Sequence, residues 1–389
     1  MEALELFATA AKGTEPALRD ELRELRFRGV RADRGGVHFA GPIEDGWRAC
    51  LESRIAVRVL RLLARFPAPH ADALYQGVGT IDWSEFLGPE RTLAVRAACR
   101  SSAMTHTQFI AQKTKDAVVD QLRARHGARP SVDLSDPDIG IFVHVVRDEA
   151  AVYVDLAGEP LHRRGFRRAL GTEGNPVLAP IKETLAAAVV RLSGWDRVLP
   201  LADPMCGSGT LAIEAALWAR GVAPGLARKR FGFERWASHD TGAAERVAEM
   251  RAFVASRARV DGPPIFASDV DPTAVEATRA AAQAAGVTLD IRQAAIGELR
   301  PTTPPGVVVV NPPYGARLPR GESLARDLAD ALRGLGDHRA AVIAGLDLSE
   351  ELIHSMHMRY DRSLALFNGD IECRLVTWDI PVQRRGARA

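Results

Sequence analysis

The sequence predicts an α/β protein. A C-terminal doubly wound, Rossmann-like parallel sheet finishes in an antiparallel hairpin, and two small α+β domains precede it. Three observations carry this reading. From about residue 177 onward, apolar strand-like runs alternate with helical periodicities, the pattern of a parallel sheet wrapped by helices. The run VVVV at 307–310 shows no polar alternation, as a strand buried on both faces requires. Near the end, FNGD places Asn368-Gly369 between two strand-like segments, a strong hairpin signal.

Residues 1–66 form the first block. Leu4–Ala8 alternates as a strand, and Leu18, Leu22 and Leu25 space a helix over Glu15–Leu25. Gly35-Gly36 turns the chain into a strand at Val37–Phe39, and a second helix runs through Trp47, Leu51 and Ile55. This order suggests a small α/β sandwich. The second block, 67–160, holds a strand at Thr92–Ala97 and a helix from Thr107 to Arg125. Strands at Ile141–Val146 and Ala151–Leu156 follow, joined by a polar link as in a hairpin. A basic connector, LHRRGFRR, and the breaker run GTEGNP occupy 161–176.

The third block, 177–389, starts with a helix at Pro180 whose apolar positions Ile181, Leu185, Val189 and Leu192 stop at Gly194. Strands are expected near 198–202, 264–268, 288–292, 307–310 and 340–345. The hairpin strands are Ser363–Leu366 and Glu372–Asp379.

Bulk composition narrows the function classes. Of 389 residues, 47% are hydrophobic and 26% charged, as in a globular protein, and a net charge of +2 excludes a polycation. No run of about 18 apolar residues indicates a membrane span. The start, MEALELFATAAKG, lacks the basic leader of a secretory or transit peptide. Cys50, Cys99, Cys206 and Cys373 form no CxxC, so neither a disulfide framework nor a metal site is expected, and a reducing cytoplasm is the simplest location.

Three motifs carry chemistry. In LADPMCGSGTLAIEAAL a strand ends at Asp203 and a glycine-rich turn, Pro204, Met205, Cys206, Gly207, Ser208, Gly209 and Thr210, opens a helix. Gly207, Gly209 and Ala212 fit G-x-G-x-x-A, where backbone passes close to a ligand and the new helix offers free N–H groups. A tight turn without a ligand and a dinucleotide site are the alternatives. Asp203, immediately before the turn, would repel a pyrophosphate but accept from an ammonium. S-adenosylmethionine, with a cationic amino-acid end and a ribose, fits better.

In FASDVDPTAVEATRAAAQAAG, Asp269 followed by Val270 ends the second strand, where nucleotide-binding sheets grip ribose hydroxyls. Asp271, just before Pro272, reads as a helix N-cap; both acids serving only as caps is the alternative. The distance from Asp203 to Asp269 far exceeds the roughly 20 residues expected, so an insertion, 218–260, lies between them and holds ARKRFGFERW.

The third motif follows the valines. Asn311, Pro312, Pro313 and Tyr314 sit at the carboxyl end of the fourth strand, the end where open α/β sheets bind ligands. Prolines lack N–H donors and leave carbonyls to accept. Asn311 adds an acceptor and Tyr314 a stacking face, which suits an exocyclic amino group on a flat base. Such an NH2 is a poor nucleophile, and accepting from it at Asn311 and at the Pro312 carbonyl aims its lone pair. Orientation and preorganised electrostatics then do most of the catalysis.

With these motifs in order, the chain resembles the amino-methyltransferases with Asn-Pro-Pro-Tyr sites. More narrowly, it resembles the THUMP-domain RNA guanine-N2 methyltransferases of the large-subunit rRNA type. The resemblance covers nearly the whole chain: FATAAKGTEPALRDEL, VYVDLAGEPLHRRGFR, APIKETLAAAVVRLSGW, DPMCGSGTLAIEAA, APGLARKRFGFERW, SDVDP and NPPYG occur in family order. It implies a ferredoxin-like domain over 1–66, a THUMP domain over 67–160 and a methyltransferase domain over 177–389. It also implies that the 203–210 turn holds the methionine part of the cofactor, that Asp269 holds the ribose, that Asn311, Pro312 and Tyr314 hold guanine, and that Glu183 and Thr184 flank the cofactor. One departure is visible. Where relatives often carry an acid after the third strand, RQAAIGEL places Ala294 and Ala295, with Gln293 and Glu298 as candidate replacements for adenine recognition. The second methyltransferase fused in some relatives is not expected here.

The resemblance makes RNA the expected substrate, rRNA before tRNA. Locally, Arg163, Arg164, Arg167 and Arg168 surround Phe166, and ARKRFGFERW adds a second basic and aromatic cluster, mixtures that suit phosphate contact with base stacking. Solvated basic connectors are the alternative. A guanine in a paired region has to be flipped out to reach Tyr314. From another functional class, an RNA-binding assembly factor with a decayed cofactor site is supported only by Ala295. A DNA adenine methyltransferase needs no THUMP module, and a dehydrogenase is disfavoured by Asp203 and NPPY. Oligomeric state leaves no mark in the sequence.

Overall fold

The valine run is the fourth strand of a seven-stranded sheet and feeds two cores at once. In the computed structural model, which describes residues 3–166, 181–299, 303–313 and 324–382, Val307 and Val309 join one hydrophobic cluster and Val308 and Val310 the other. All four are at most 2% exposed, which is why the strand needs no polar positions. Each such burial is worth about 1.5 kcal/mol or more.

The chain divides into two compact units. The first comprises Met1–Thr9, Arg19–Leu161 and Arg228–Phe253; the second comprises Ala10–Leu18, His162–Ala227 and Val254–Ala389. In chain order the N-terminal elements are β1 (Leu4–Thr9), α1 (Glu15–Glu24), β2 (Arg28–Asp33), β3 (Gly36–Gly41), α2 (Ile43–Glu52), β4 (Arg58–Pro67) and α3 (Ala71–Gly79). They continue with β5 (Thr92–Arg100), α4 (Thr107–His126), β6 (Ser131–Val132), β7 (Ile139–Val146) and β8 (Glu149–Asp155). Their strands form one eight-stranded sheet in the order β2-β3-β1-β4-β8-β7-β5-β6. β4 pairs with β1 on one side and β8 on the other, so two small α+β halves share a single sheet.

Three of these elements carry little sequence signal. β4 reads RVLRLLARFP, with arginines breaking any alternation, and β2 is polar and mostly exposed. α3 starts from His70, whose ring Nδ1 accepts from Ala73 N at 3.2 Å. α2 also ends at Glu52 rather than running to Ile55. The buried Glu21 carboxylate takes the N–H groups of Arg54 (2.9 Å) and Ile55 (3.3 Å), so they are not left to continue a helix.

The remaining elements are α5 (Glu183–Leu192), β9 (Leu201–Asp203), α6 (Thr210–Ala219), α7 (Thr241–Ser256), β10 (Ile265–Asp269), α8 (Pro272–Ala285), β11 (Asp290–Gln293) and β12 (Gly306–Val310). The last are α9 (Leu324–Arg333), β13 (His338–Gly345), α10 (Leu346–Met356), β14 (Arg362–Asn368) and β15 (Ile371–Ile380). The sheet order is β11-β10-β9-β12-β13-β15-β14. The first five strands are parallel, and β15 inserts antiparallel between β13 and β14. Gly369, at a φ of +65°, closes the terminal hairpin beside Asn368. The order reverses at β9, between β10 and β12. That switch point opens the crevice where doubly wound sheets bind ligands.

Candidate active site

Three side chains mark the carboxyl ends of the central strands: Asp203 on β9, Asp269 on β10 and Asn311 just past β12. The turn after Asp203 is held open by its own backbone. Gly207 and Gly209 have φ of +54° and +76°, the region glycine reaches without a Cβ penalty. A Cβ on Gly209 would lie 2.6 Å from Thr278 Cγ2 on α8, so helix and turn meet as closely as a glycine allows. Thr278 Oγ1 donates to the Gly207 carbonyl at 2.8 Å, and Cys206 N donates to Ser268 O at 2.9 Å. α6 then starts at Thr210 with no side-chain cap, leaving first-turn N–H groups for an anionic ligand group.

Asp203 is 1% exposed, and its Oδ1 has no hydrogen-bond partner among the described residues. Burial pushes its carboxyl up to about 8; the Met205 N–H opposes this and nearby Asp269 reinforces it. A buried acid with one oxygen unpartnered is costly, and a cationic group is what relieves it. Asp269 behaves differently. Its Oδ2 accepts from Gly207 N at 2.9 Å and its Oδ1 from Asp271 N at 3.1 Å, which fixes the carboxylate against the glycine turn. Val270 beside it is 66% exposed, an apolar surface next to the acid. Asp271 is the N-cap of α8, accepting from Thr273 N at 2.8 Å, as its place before Pro272 predicts.

α5 begins at Glu183, with Lys182 as N-cap, slightly after the start expected at Pro180, which lies outside the described residues. Glu183 and Thr184 are each 2% exposed, and Thr184 Oγ1 has no partner among the described residues. Asn311 Oδ1 is likewise buried without a described partner. Pro312 is buried and Pro313 half-buried; Tyr314 lies outside the described residues. Of the two candidate replacements for the missing acid, Gln293 Nε2 donates to Val270 O at 3.1 Å. Glu298 Oε2 accepts from Ala295 N at 2.9 Å, folding its carboxylate back to the end of β11.

The basic clusters are corrected by the structure. Arg164 is 3% exposed and ion-paired with Glu214 of α6, so its guanidinium is committed inside the protein. Phe166 is buried in the core and cannot stack on a base. Arg163 is exposed, whereas Arg167 and Arg168 lie outside the described residues. In ARKRFGFERW, Phe231, Phe233 and Trp236 are all at most 4% exposed. Arg228 donates to the carbonyls of Pro160, Glu159 and Ala157, and Arg235 pairs with Asp136. This cluster secures the insertion within the first unit. Thr278 and Glu214 were not expected to matter; each acts on a partner distant in sequence, and neither carries a local signal.

A glycine turn at the first strand, acids at the first and second, and Asn-Pro-Pro at the fourth, on this strand order, define a Rossmann-like methyltransferase. The chain belongs to the RMKL-like methyltransferase family, whose domain model matches residues 175–377. A THUMP domain matches 68–155 and an RlmL ferredoxin-like domain 5–60. The chain is 42% identical to the ribosomal RNA large subunit methyltransferase K/L of Methylococcus capsulatus, over 98% of this chain and 52% of that protein. It is 40% identical to the protein of the same name from Syntrophotalea carbinolica, over 98% of this chain and 54% of that one. It thus spans about half the length of these curated relatives. The solved structure of SMU.472 complexed with SAH is 30% identical, with a TM-score of 0.83 and 99% of each chain covered. Among the described residues no helix is long and apolar enough to cross a membrane.

Proposed function

We propose that this chain transfers a methyl group from S-adenosylmethionine to the N2 amino group of a guanosine in RNA, large-subunit rRNA before tRNA. The observation that carries the reading is a pair of buried acceptors without described partners, Asp203 Oδ1 and Asn311 Oδ1, at the ends of neighbouring strands of the switch point. One asks for an ammonium and the other for an NH2. The names of the curated relatives and the SAH held by SMU.472 support both halves of the reading.

The donor set fits the cofactor. Asp203 would hold its α-ammonium, the turn from Pro204 to Thr210 its carboxylate, and Asp269 beside Val270 its ribose, with Glu183 and Thr184 flanking. When bound, S-adenosylmethionine supplies an electrophilic methyl group on a sulfonium. The chain's own residues do the rest. Asn311 Oδ1 and the Pro312 carbonyl accept from the guanine NH2 and pyramidalise it, Pro313 stiffens the turn, and Tyr314 stacks on the ring. No strong base is needed, because the nitrogen becomes acidic once alkylated. Exposed Arg163, and with it Arg167 and Arg168, would contact the RNA backbone. The four cysteines are free thiols, in keeping with a cytoplasmic site of action.

The test is nucleoside mass spectrometry of rRNA and tRNA from a deletion strain, with transfer of labelled methyl to the same RNA by the purified chain. Loss of N2-methylguanosine from one rRNA fragment is expected. Loss from tRNA alone shifts the substrate, and no loss in either with no transfer favours a non-catalytic assembly factor.

A further inference from the structure

The carboxyl ends of β9, β10 and β11 stand in a row. Asp203 on β9 is level with Ala267 on β10, and Asp269 on β10 is level with Gln293 on β11. Neighbouring strands lie about 4.8 Å apart. A nucleoside whose amino-acid end meets Asp203 and whose ribose meets Asp269 therefore puts its base past the end of β11, over residues 294–298. Much of what the chain offers there is apolar. Val270, just past β10, is 66% exposed. Ala295 is exposed and Ile296 half-buried. These are faces for a flat ring, and none of them can tell one base from another.

Two side chains of the segment 293–298 can accept a hydrogen bond, Gln293 and Glu298, and the structure gives them different tasks. Gln293 Nε2 donates to the Val270 carbonyl at 3.1 Å. A carbonyl only accepts, so this bond commits the amide, and the glutamine ties the end of β11 to the end of β10. Glu298 Oε2 accepts from Ala295 N at 2.9 Å. That bond brings a carboxylate back to the strand end, where Ala295 has no polar side-chain atom of its own. A cap of this kind occupies one carboxylate oxygen. The other, Oε1, makes no hydrogen bond or ion pair with a described residue. The cation beside it in sequence, Arg292, is held by both oxygens of Asp290 at 2.9 and 2.6 Å. The segment is also fastened to the strand that carries Asp269, because Ala294 N donates to Asp269 O at 3.0 Å. An anionic acceptor thus stands on backbone bonded directly to the proposed ribose site. Adenine presents an amino group where hypoxanthine presents a carbonyl, and a carboxylate accepts from the first and repels the second.

We propose that Glu298 accepts a hydrogen bond from the exocyclic amino group of the cofactor's adenine, with Val270 and Ile296 as the apolar faces of the base site, and so sets base specificity for the cofactor. The proposal rests on the reading that the cofactor is S-adenosylmethionine.

The test is calorimetry on the full chain with two probes, S-adenosylhomocysteine and S-inosylhomocysteine, which carries a carbonyl in place of the adenine amino group. The wild type is expected to bind the adenosyl form at least about tenfold tighter, the value of one hydrogen bond to a charged group. Glu298→Gln keeps one oxygen for the Ala295 cap and turns an NH2 toward the base, so the preference falls to about one or inverts. Adding Ala295→Asp to that variant returns a carboxylate to the strand end and restores the preference. Unchanged melting temperatures show that the variants fold. If Glu298→Gln keeps the wild-type preference, Glu298 is a cap only and the proposal is overturned. Loss of the preference in Gln293→Met with its retention in Glu298→Gln assigns the reading to the glutamine instead. Equal wild-type affinity for the two probes defeats the proposal while the cofactor reading stands. If the wild type binds neither probe, the cofactor reading fails with it.

Discussion

Arg164 and Glu214 form an ion pair buried on both sides, with side-chain exposures of 2% and 0%. One partner lies in the connector that leaves the first unit. The other lies on α6, one helical turn beyond Thr210, the residue that ends the glycine turn. The pair therefore fastens the connector to the helix whose start is proposed to face the cofactor.

Removing one member leaves the other charged and buried. Arg164→Met is expected to destabilise the second unit by about 3 kcal/mol or more, and Arg164→Met with Glu214→Leu to recover most of that loss. Urea denaturation of the single and double variants measures it. Equal stability of the single variant and the wild type would show that Glu214 is solvated after all.

This pair also shows how far the sequence could be read. HRRGFRR is indistinguishable locally from a solvated basic connector, because the partner that buries Arg164 is 50 residues away. The parallel sheet was legible because its strands need only apolar runs and its helices only periodicity. β4 was not, because its arginines find partners on distant elements: Arg58 on Asp155 and Arg61 on Glu85. The glycine turn, Asp269 and Asn311 were legible since each sits at a strand end. What packs beneath the turn was hidden, because a threonine in an alanine-rich helix has no pattern of its own.

Gly209→Ala tests that packing. The new Cβ meets Thr278 Cγ2 at 2.6 Å and Oγ1 at 3.0 Å, and the residue must keep a φ of +76°. Cofactor affinity is expected to fall at least about tenfold, with a stability loss of about 1–2 kcal/mol. Adding Thr278→Ser removes the methyl clash and leaves the backbone strain, so it recovers part of the loss. Full recovery would assign the glycine to packing alone, and no recovery to its φ alone. Calorimetry with SAH and thermal melts separate the two.

Asp203 makes the protein pH-sensitive in two opposite ways. Its carboxyl is raised from 3.8 to about 8, so the folded chain holds this proton more tightly than the unfolded chain between those values. Its contribution to the stability of the cofactor-free protein therefore declines as pH rises through that window. On the proposed contact with the cofactor ammonium, binding draws on the ionised form, so affinity should climb with pH, releasing a proton on binding below about pH 8. It should fall again above, where an α-amino group of pKa about 8 loses its charge. Asp203→Asn should abolish binding and the proton release while raising the apo melting temperature at pH 8 by a few degrees, on the order of 1 kcal/mol. Titration calorimetry in buffers of different ionisation enthalpy reads the proton; unchanged affinity in Asp203→Asn would remove this residue from the site.

The role proposed for Asn311 separates binding from chemistry. Its side chain follows a strand with no exposed residue, so the amide is carried on a rigid support and its replacement should leave the fold intact. Asn311→Ala is expected to retain cofactor affinity and to lose methyl transfer by about 10²–10³, the cost of one preorganised hydrogen-bonding group. Asn311→Asp distinguishes how the residue acts. An aspartate keeps an acceptor oxygen in nearly the same place, gives up the amide donor and adds a negative charge. If accepting from the NH2 is the role of Asn311, the aspartate variant retains far more activity than the alanine variant. If both lose equally, the amide donates to something in the site, and the pyramidalising role passes to the Pro312 carbonyl alone. Single-turnover rates at saturating RNA, with SAH affinity measured in parallel, decide between the two.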